Sequence, residues 1–486
     1  MPAINGKQYI DRIDRLNANI WYKGEKVNGK LSLHPAFKGV IATQAKLFDL
    51  QHDPKTKDLL TYSSETTGEP VATAFLPPKT KEDLEKRRHA FQELARQSAG
   101  MLGRSPDYMN TALMAFGTAA DFLRGQNDRA ANNMKAYYDL VRENDLTLTH
   151  TFIVPQVNRS SFYIEEREDI IGARMIEQNS DGIVIHGARL LATQGATTDE
   201  IIVFPSGARL PLVKASEELA YAFAIPNNTP GLKFYCRESW VGGESTFDHP
   251  LSSRFEEMDT IVVFDHVLVP WDRVFIHGNI DVNNNLYNAS DFFSHATHQV
   301  ICKNIVKVEF MLGVAQSIVN TIRIGEYQHV QEKVAEIIVA LEALRGFVLS
   351  SEQSAKINRW GVLTPDPDPL AAATIYFPKI YPRINEIIQL LGASGLVSIP
   401  TEADFASSGG DDLRHYLQTS TGDGEEKVRL FRLAWDLTMS AFGSRQELYE
   451  RFFFGDPVRL ASNLFRNYNS DIYLDRVKHF LSDQEK

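Results

Sequence analysis

The stretch that says most about the fold is FGSRQELYERFFFGDPVR, residues 442–459. Three consecutive phenylalanines at 452–454 stand directly before a Gly-Asp-Pro turn at 455–457. Because proline lacks an N–H and has a fixed φ, a helix that precedes this point must end and the chain must turn. An aromatic wall with Asp456 and Arg459 beside it suits a planar, charged ligand. A helix end packed on the core explains this stretch alone equally well.

A second segment, GRSPDY at residues 103–108, predicts the start of a helix. Ser105 stands at a capping position and Pro106 at the first helical position, and apolar side chains then recur at helical spacing. Arg104 lies just outside the positive end of this helix, where an anion is favoured. Tyr108 lies one turn into the helix, on a side that can share the same pocket.

Composition limits the classes of protein to consider. A chain of 486 residues has room for two or three domains, and its net charge of −11 argues against a nucleic-acid partner. Two cysteines, Cys236 and Cys302, supply neither a disulfide framework nor a cysteine-rich metal site. No apolar run approaches the roughly 20 residues that span a bilayer, and the first residues do not resemble a signal peptide. We therefore expect a cytoplasmic protein that binds no membrane.

The hydrophobic periodicity changes twice along the chain. Residues 80–144 have helical spacing, residues 147–264 hold short β-branched runs between turn sequences, and long helical patterns then return. The late helical patterns cover residues 289–324, 329–358, 370–391 and 425–442. Helices, then strands, then a helical block predict an α+β protein with segregated layers. The expected domains are a mainly helical domain at 1–146, a β domain at 147–275, and a helical bundle with a C-terminal tail at 276–486.

Several familiar catalytic and nucleotide-binding motifs are absent from the sequence. It contains no Gly-x-Gly-x-x-Gly after a strand, no P-loop, no His-Glu-x-x-His and no Gly-x-Ser-x-Gly. One histidine stands out instead, because His150 lies in the first predicted strand between Thr149 and Thr151. A lone strand histidine is more often structural than catalytic.

Taken in order, these segments resemble the oxygenase component of the two-component flavin-dependent phenol monooxygenases, of the 4-hydroxyphenylacetate 3-monooxygenase type. The resemblance covers essentially the whole chain. The matching strings are NIWYKGE at 19–25, LFDLQHD at 47–53, GRSPDY at 103–108, PQVNR at 155–159, FDHPLSSR at 247–254 and residues 442–459. The resemblance implies an acyl-CoA dehydrogenase-like fold, in which the middle domain is a β-barrel and the last is a four-helix bundle.

The resemblance also implies a reaction. FADH2 from a separate NAD(P)H–flavin reductase and O2 would give a flavin C4a-hydroperoxide, which hydroxylates a para-substituted phenol at its ortho carbon to form a catechol. The leading substrate is 4-hydroxyphenylacetate, and other phenols or chlorophenols are the alternative. Outside this class, an acyl-CoA dehydrogenase-type flavoenzyme or a non-catalytic assembly protein remains open. The similar enzymes assemble through the bundle, so a homo-oligomer, a dimer of dimers, is expected.

The site residues follow from the same resemblance. The phenol hydroxyl is expected between Arg104, Tyr108 and His150, which are the expected catalytic residues. Ser206 and Gly207 are expected at the substrate's carboxylate; relatives carry Ser-Thr there, which leaves the exact phenol open. The expected FAD contacts are His150, Thr151, Phe152, Gln156, Val157, Asn158, Arg159, Thr193, Asp456, Pro457, Val458 and Arg459.

Two further patterns have alternative interpretations. His295, His298 and Cys302 share one helix face at spacings of three and four residues, which allows a metal site but favours core or interface packing. Two cysteines also cannot hold the iron–sulfur cluster of the 4-hydroxybutyryl-CoA dehydratases, which share the fold, so no metal is expected. The string QLLGASG at 389–395 is either a glycine helix stop or a contact to a neighbouring subunit's flavin.

Overall fold

The computed structural model of the chain describes residues 2–155, 171–206, 209–420 and 422–482. Its helices cluster before and after a central block of strands, as the change in periodicity predicts. The α-helices are Gly6–Leu16, Lys38–Asp49, Lys57–Leu60, Lys81–Arg96, Pro106–Thr118, Asp128–Asn144, Ser252–Phe255, Ile280–Ala289, Phe292–Thr321, Gln328–Gln353, Pro367–Gly392, Glu402–Phe405, Gly410–Tyr416, Gly424–Thr438, Ala441–Phe452, Pro457–Asn467 and Asp471–Ser482. None of the helices in these residues is both long and apolar enough to cross a membrane.

The strands form two main sheets and two short hairpins. From edge to edge, the larger sheet consists of Glu25–Lys26, Ile20–Tyr22, Leu232–Cys236, Asp259–Pro270, Gly182–Thr193 and Arg174–Gln178. The smaller sheet consists of Val274–His277, Tyr221–Pro226, Glu200–Val203 and Leu148–Thr151. The hairpins pair Thr61–Ser63 with Pro70–Ala72, and Lys356–Ile357 with Leu363–Thr364.

The sheets differ from the expected barrel. Within the described residues both sheets are open, with two free edges each, so a closed β-barrel is not confirmed. The strand Ile20–Tyr22 comes from the region expected to be helical, and it pairs in parallel with Leu232–Cys236. A three-residue strand gives too little periodicity to be recognised in the sequence. The domain boundaries at 146 and 275 stay a prediction.

Local signals placed several helix starts correctly. Thr80 and Asp83 form the capping box that their spacing indicates, at the start of Lys81–Arg96. Ser105 is the N-cap residue of Pro106–Thr118, but its side chain makes no capping hydrogen bond. The predicted last bundle helix is two helices, because Ser440 caps a new one by accepting a hydrogen bond from the Gly443 N–H.

The bundle core surrounds one nearly buried helix, Phe292–Thr321. It packs against Gln328–Gln353 and Pro367–Gly392 on one side, and against Lys81–Arg96 and Pro106–Thr118 on the other. Because most of its residues are buried, this helix connects the bundle to the N-terminal helices. This packing places the helix start at residues 103–108 against the C-terminal part of the chain.

The polar face of this helix is used for packing. His295, His298 and Cys302 are all buried, and His298 Nε2 lies 2.8 Å from Glu352 Oε1. Burial lowers the pKa of His298, although Glu352 acts against the shift. Within the described residues the three side chains are not a set of converging ligands. This arrangement supports the packing interpretation.

One turn further along, two lysines share a single carboxylate inside the protein. Lys303 Nζ and Lys307 Nζ lie 2.9 Å and 2.6 Å from the same Oε1 of Glu450, and all three side chains are buried. Lys307 also donates to Gln446 Oε1 at 2.8 Å. Burial lowers the pKa of Lys307 to about 8 despite Glu450. The cluster therefore carries excess positive charge in the core.

We expect the carboxylate of Glu450 to matter more for stability than either ammonium group. Glu450→Gln leaves two buried charges of the same sign without a countercharge, which costs about 3–5 kcal/mol. Lys307→Met leaves Lys303 and Glu450 as a one-to-one pair and keeps the side-chain volume, so its cost should stay below about 1.5 kcal/mol. Urea unfolding followed by circular dichroism measures both losses. Equal losses in the two variants would contradict this charge balance.

Candidate active site

The backbone at Arg104 is held by a buried carboxylate. The N–H groups of Gly103 and Arg104 donate to the two oxygens of Glu257, at 2.9 Å and 2.6 Å. A Cβ on Gly103 would lie 2.2 Å from Tyr449 Oη, so only glycine permits this approach. The chain at the start of the helix is therefore fixed before any ligand is considered.

The Arg104 side chain lies in an aromatic cage. Its Nη1 donates to Tyr449 Oη at 2.7 Å, and its guanidinium carbon lies 4.7 Å from the ring centres of both Tyr108 and Phe453. Stacking over aromatic faces stabilises a guanidinium group and restricts its orientation. Its Nε is buried and makes no hydrogen bond within the described residues. A cation is thus held in place with donor capacity left over.

His150 faces the same space from the sheet. It lies in Leu148–Thr151, opposite Ile202 of the neighbouring strand, and is 4% exposed. Its ring centre is 5.7 Å from that of Tyr108, and its Nδ1 is buried without a partner among the described residues. Burial, and then the charge of Arg104, lowers the pKa of His150 well below its ordinary value. The imidazole is therefore neutral, and a neutral imidazole has one ring nitrogen that can accept a hydrogen bond.

Tyr108 completes a group of three. It is 6% exposed, and burial raises the pKa of its phenol although Arg104 acts in the opposite direction. The hydroxyl therefore stays protonated and can donate a hydrogen bond. The structure thus brings together Arg104, Tyr108 and His150, the three residues expected around a phenol oxygen, while their roles stay a prediction.

The aromatic run at 452–454 divides between the site and the surface. Phe453 packs against Tyr108 with ring centres 5.7 Å apart, and Phe454 packs on Phe453, whereas Phe452 is 54% exposed. Gly455 then takes a φ of +112°, which favours glycine, and Asp456 begins the next helix. Two of the three rings form the expected wall.

The expected flavin contacts on the strands are held firmly. Thr193 donates to Asp259 Oδ1 at 2.8 Å and its carbonyl accepts from Thr149, while the Thr151 hydroxyl donates to the Leu190 carbonyl. Burial raises the pKa of Asp259, but Arg445, at 2.7 and 3.0 Å, outweighs this and holds the pKa well below its usual range. Both threonine hydroxyls keep lone pairs that can accept a hydrogen bond.

The other expected contacts differ in their exposure. Asp456 is exposed and accepts from the N–H groups of Val458 and Arg459, at 2.7 and 3.0 Å, in the helix that begins at Pro457. Ser206 is half-buried, and Phe152 stacks on His150 with ring centres 5.6 Å apart. Gln156, Val157, Asn158, Arg159 and Gly207 lie outside the described residues.

Sequence reasoning missed the residues that hold this site together. Glu257, 0% exposed, also accepts from Gln194 Nε2 at 3.0 Å and lies 3.4 Å from Arg445 Nη1. Tyr449 lies within residues 442–459, but nothing in that stretch marks it as a site residue. The one available signal was three acids in four residues, Glu256, Glu257 and Asp259, where a strand pattern begins. Acids that follow one another at a buried strand start require cationic partners elsewhere.

The chain is similar to known proteins over nearly its whole length. Family models described as 4-hydroxyphenylacetate 3-hydroxylase N terminal and C terminal match residues 5–276 and 283–482. The 4-hydroxyphenylacetate 3-monooxygenase oxygenase component of Geobacillus sp. (strain PA-9) is 49% identical, covering 99% of this chain and 97% of the relative.

Solved structures give the same result. The oxygenase component of 4-hydroxyphenylacetate 3-monooxygenase complexed with FAD and 4-hydroxyphenylacetate superposes with a TM-score of 0.93, at 47% identity over 99% of both chains. An archaeal 4-hydroxybutyryl-CoA dehydratase from N. maritimus superposes with a TM-score of 0.88, at 19% identity over 98% of this chain and 95% of that one. The second likeness concerns the fold alone.

Because His150 is neutral in the folded protein, we expect stability to fall as pH drops below the ordinary histidine value of 6.5. The folded pKa is depressed, so the unfolded chain binds more protons in this window, at up to about 1.4 kcal/mol per pH unit for one histidine. His150→Gln should therefore lose less stability than the wild type between pH 7.5 and 5.5. Thermal unfolding midpoints at both pH values measure the difference.

The matched control is His52→Gln, the same exchange at an exposed histidine. It removes no buried group and should follow the wild-type profile. An identical pH response in His150→Gln and the wild type would contradict a neutral, buried imidazole at this position.

Proposed function

Because the chain belongs to the 4-hydroxyphenylacetate 3-hydroxylase family, we propose that it is the oxygenase component of a two-component, flavin-dependent 4-hydroxyphenylacetate 3-monooxygenase. It would accept FADH2 from a separate NAD(P)H–flavin reductase and use O2 to place a hydroxyl group beside that of the phenol. The observation that carries this proposal is the group of Arg104, Tyr108 and His150. It provides a fixed cation, a protonated donor and a neutral acceptor in one buried space.

The described residues fit a bound flavin. FAD, when bound in its reduced form, supplies the activation of O2. Thr151 and Thr193 offer hydroxyl lone pairs from rigid strand positions, and Phe152 offers a flat face. Asp456 to Arg459 add an exposed arginine near a helix start, which suits the charged part of the cofactor. The stretch 156–159, expected beside them, would complete the cofactor site.

Arg104 is proposed to stabilise the substrate as a phenolate. A free phenol such as that of tyrosine has a pKa of about 10, so at neutral pH it is protonated in water. A guanidinium group fixed in a desolvated aromatic cage favours the oxyanion far more than water does. The cage fixes Arg104 through Tyr449 and Phe453, so no reorganisation is needed when the charge develops. A phenolate is the more electron-rich ring and reacts more readily at its ortho carbon.

His150 is proposed to receive the phenol proton at Nδ1. This nitrogen is buried and has no partner among the described residues, which is a costly state unless a ligand supplies the hydrogen bond. Because burial and Arg104 lower the pKa of the imidazole, His150 is a weak base, and it would take the proton at Nδ1 only as Arg104 stabilises the phenolate that is left. Tyr108, kept protonated, donates to the same oxygen and fixes its position.

The opposite end of the substrate is proposed to lie near Ser206. Phe204, two residues before Ser206, packs on Phe116 and lies near His150. The end of the strand Glu200–Val203 is therefore next to the residues that are proposed to bind the phenol hydroxyl. Ser206 and neighbouring backbone N–H groups would receive the carboxylate of 4-hydroxyphenylacetate. Gly207 in place of threonine removes one hydroxyl, worth about 0.5–1.5 kcal/mol, which should widen the range of accepted phenols.

Arg104→Ala and His150→Ala should each lower catechol formation at least about 100-fold, which is far more than they lower the binding of reduced FAD. The reason is that both residues act on the phenol oxygen. The assay mixes the protein with FADH2, O2 and 4-hydroxyphenylacetate, and measures catechol and hydrogen peroxide per flavin consumed. The wild type should give mainly catechol and both variants mainly hydrogen peroxide.

The matched control is Arg451→Ala, which removes an arginine from the same aromatic stretch that is exposed and paired with Glu447. It should retain wild-type coupling. Near-wild-type catechol yield from both site variants would place the active site elsewhere. Oxidation of a CoA thioester, with only hydrogen peroxide from every phenol, would favour the dehydrogenase alternative.

The C-terminal tail supports a homo-oligomer, which we propose to be a dimer of dimers. The helices Pro457–Asn467 and Asp471–Ser482 contain no buried residue in the single chain, yet Phe465 and Phe480 are 85% and 67% exposed. Apolar faces of this kind are usually covered in closed symmetric assemblies. A tail that docks on a second subunit would place Asp456 to Arg459 at a subunit boundary.

We expect the Phe465→Asp, Phe480→Asp double variant to sediment as a smaller species than the wild type. A charge introduced into each apolar face opposes its burial between subunits. Asn467→Asp, which adds a charge at an exposed polar position of the first tail helix, is the control and should assemble normally. Sedimentation velocity at micromolar concentration measures all three. A wild type that is monomeric and fully active would refute the proposed assembly.

A further inference from the structure

A β-bulge outside the candidate active site brings two histidines and an aspartate together. In the larger sheet, Phe264 pairs with Gly187 and Val267 pairs with Ile185, so Asp265 and His266 both lie opposite His186. Such a bulge places two residues of one strand against one residue of its neighbour and redirects their side chains. One ligand atom from each of the three side chains lies within 4.8 Å of the others.

One residue of the bulge, His266, has a backbone conformation that residues with a side chain rarely adopt. His266 has a φ of 54°, in the left-handed region, which costs a residue other than glycine roughly 1–2 kcal/mol. This conformation turns the imidazole toward His186, with the two ring centres 4.3 Å apart. The strain therefore coincides with the juxtaposition of two potential metal ligands.

The hydrogen bonds leave ligand atoms available. His266 Nδ1 lies 3.1 Å from Asp265 Oδ1, a contact that orients the ring and leaves the lone pair on Nε2. The Nδ1 of His186 is buried and has no hydrogen-bond partner among the described residues. The other oxygen of Asp265 accepts from Lys233 Nζ at 2.9 Å. Each carboxylate oxygen has more than one lone pair, so both can still contact an ion.

We propose that His186, Asp265 and His266 form a binding site for a divalent transition-metal ion, and that this ion is Zn²⁺. Two imidazoles and a carboxylate are a ligand set that suits Zn²⁺ and leaves a fourth position for water. The site lies seven residues from Thr193 on the same strand, roughly 23 Å away. The ion would connect two strands of the sheet and lie far from Arg104, Tyr108 and His150. The proposal does not depend on the proposed hydroxylase function.

Because of Lys233, one substitution is expected to strengthen metal binding at this site and others to weaken it. Its ammonium group holds the carboxylate that a metal would use, so it competes with the ion for Asp265 and repels it. Removal of this charge should strengthen metal binding, whereas removal of a histidine ligand should weaken it.

The test is Zn²⁺ titration by calorimetry of the untagged full chain after EDTA treatment and dialysis. The wild type should bind one Zn²⁺ per chain at this site. His186→Ala and His266→Asn should weaken binding more than about tenfold, and Lys233→Met should strengthen it. Asn is chosen for His266 because it tolerates the left-handed conformation. His329→Ala, at an exposed histidine elsewhere, should bind as the wild type does.

The thermal midpoint of each metal-free variant shows whether it is folded, and Zn²⁺ should raise the midpoint in the wild type but not in the histidine variants. No Zn²⁺ binding by the wild type would overturn the proposal. Equal affinity in His186→Ala and His329→Ala would also overturn it. Should a histidine variant fail to fold, tighter binding by Lys233→Met supports the site and unchanged binding overturns it.

Discussion

The candidate active site depends on one buried carboxylate, that of Glu257. It accepts hydrogen bonds from the backbone of Gly103 and Arg104 and from the side chain of Gln194, and it lies beside Arg445. These partners come from a helix start, a strand end and the helix Ala441–Phe452. A buried carboxylate is costly unless it is hydrogen-bonded and has a positive partner. The requirement to satisfy Glu257 therefore brings the three parts of the site into one place.

Positive charge is concentrated around this anchor. Arg104 faces the proposed phenol position, and Tyr449 separates it from the buried lysines, since the ammonium group of Lys303 lies 5.4 Å from the Tyr449 ring centre. Glu450 balances one of the two lysines that share it. In a medium of low dielectric constant this excess charge reaches further than it would in water. The interior therefore favours an oxyanion at Arg104 before the substrate arrives, which is the property the proposed hydroxylation needs.

Much of this arrangement can be predicted from local sequence, and the rest cannot for a physical reason. The capping box at Thr80, the helix that begins at Pro106 and the strand around His150 are local, because caps and periodicity act over a few residues. The helix start indicates that Arg104 and Tyr108 share a pocket, and only the resemblance added His150 to them. The contact of Tyr449 with Arg104 joins residues 345 positions apart, and no pattern within either segment reports it. Sheet closure also depends on contacts between distant residues, and the barrel that the resemblance implied was not found among the described strands.

The start of the C-terminal tail leaves the proposed flavin site open in the single chain. Phe453 contacts the core of the site, yet Asp456 and Arg459, a few residues further on, are exposed in the single chain. A site that must exclude water cannot use an open helix as its wall. The apolar side chains of the same helix, Phe465 among them, need a surface to cover them. A second subunit would meet both needs at once, because docking of the tail would bury its apolar face and close the cofactor site. On this view, assembly and cofactor binding are thermodynamically linked, and each stabilises the other.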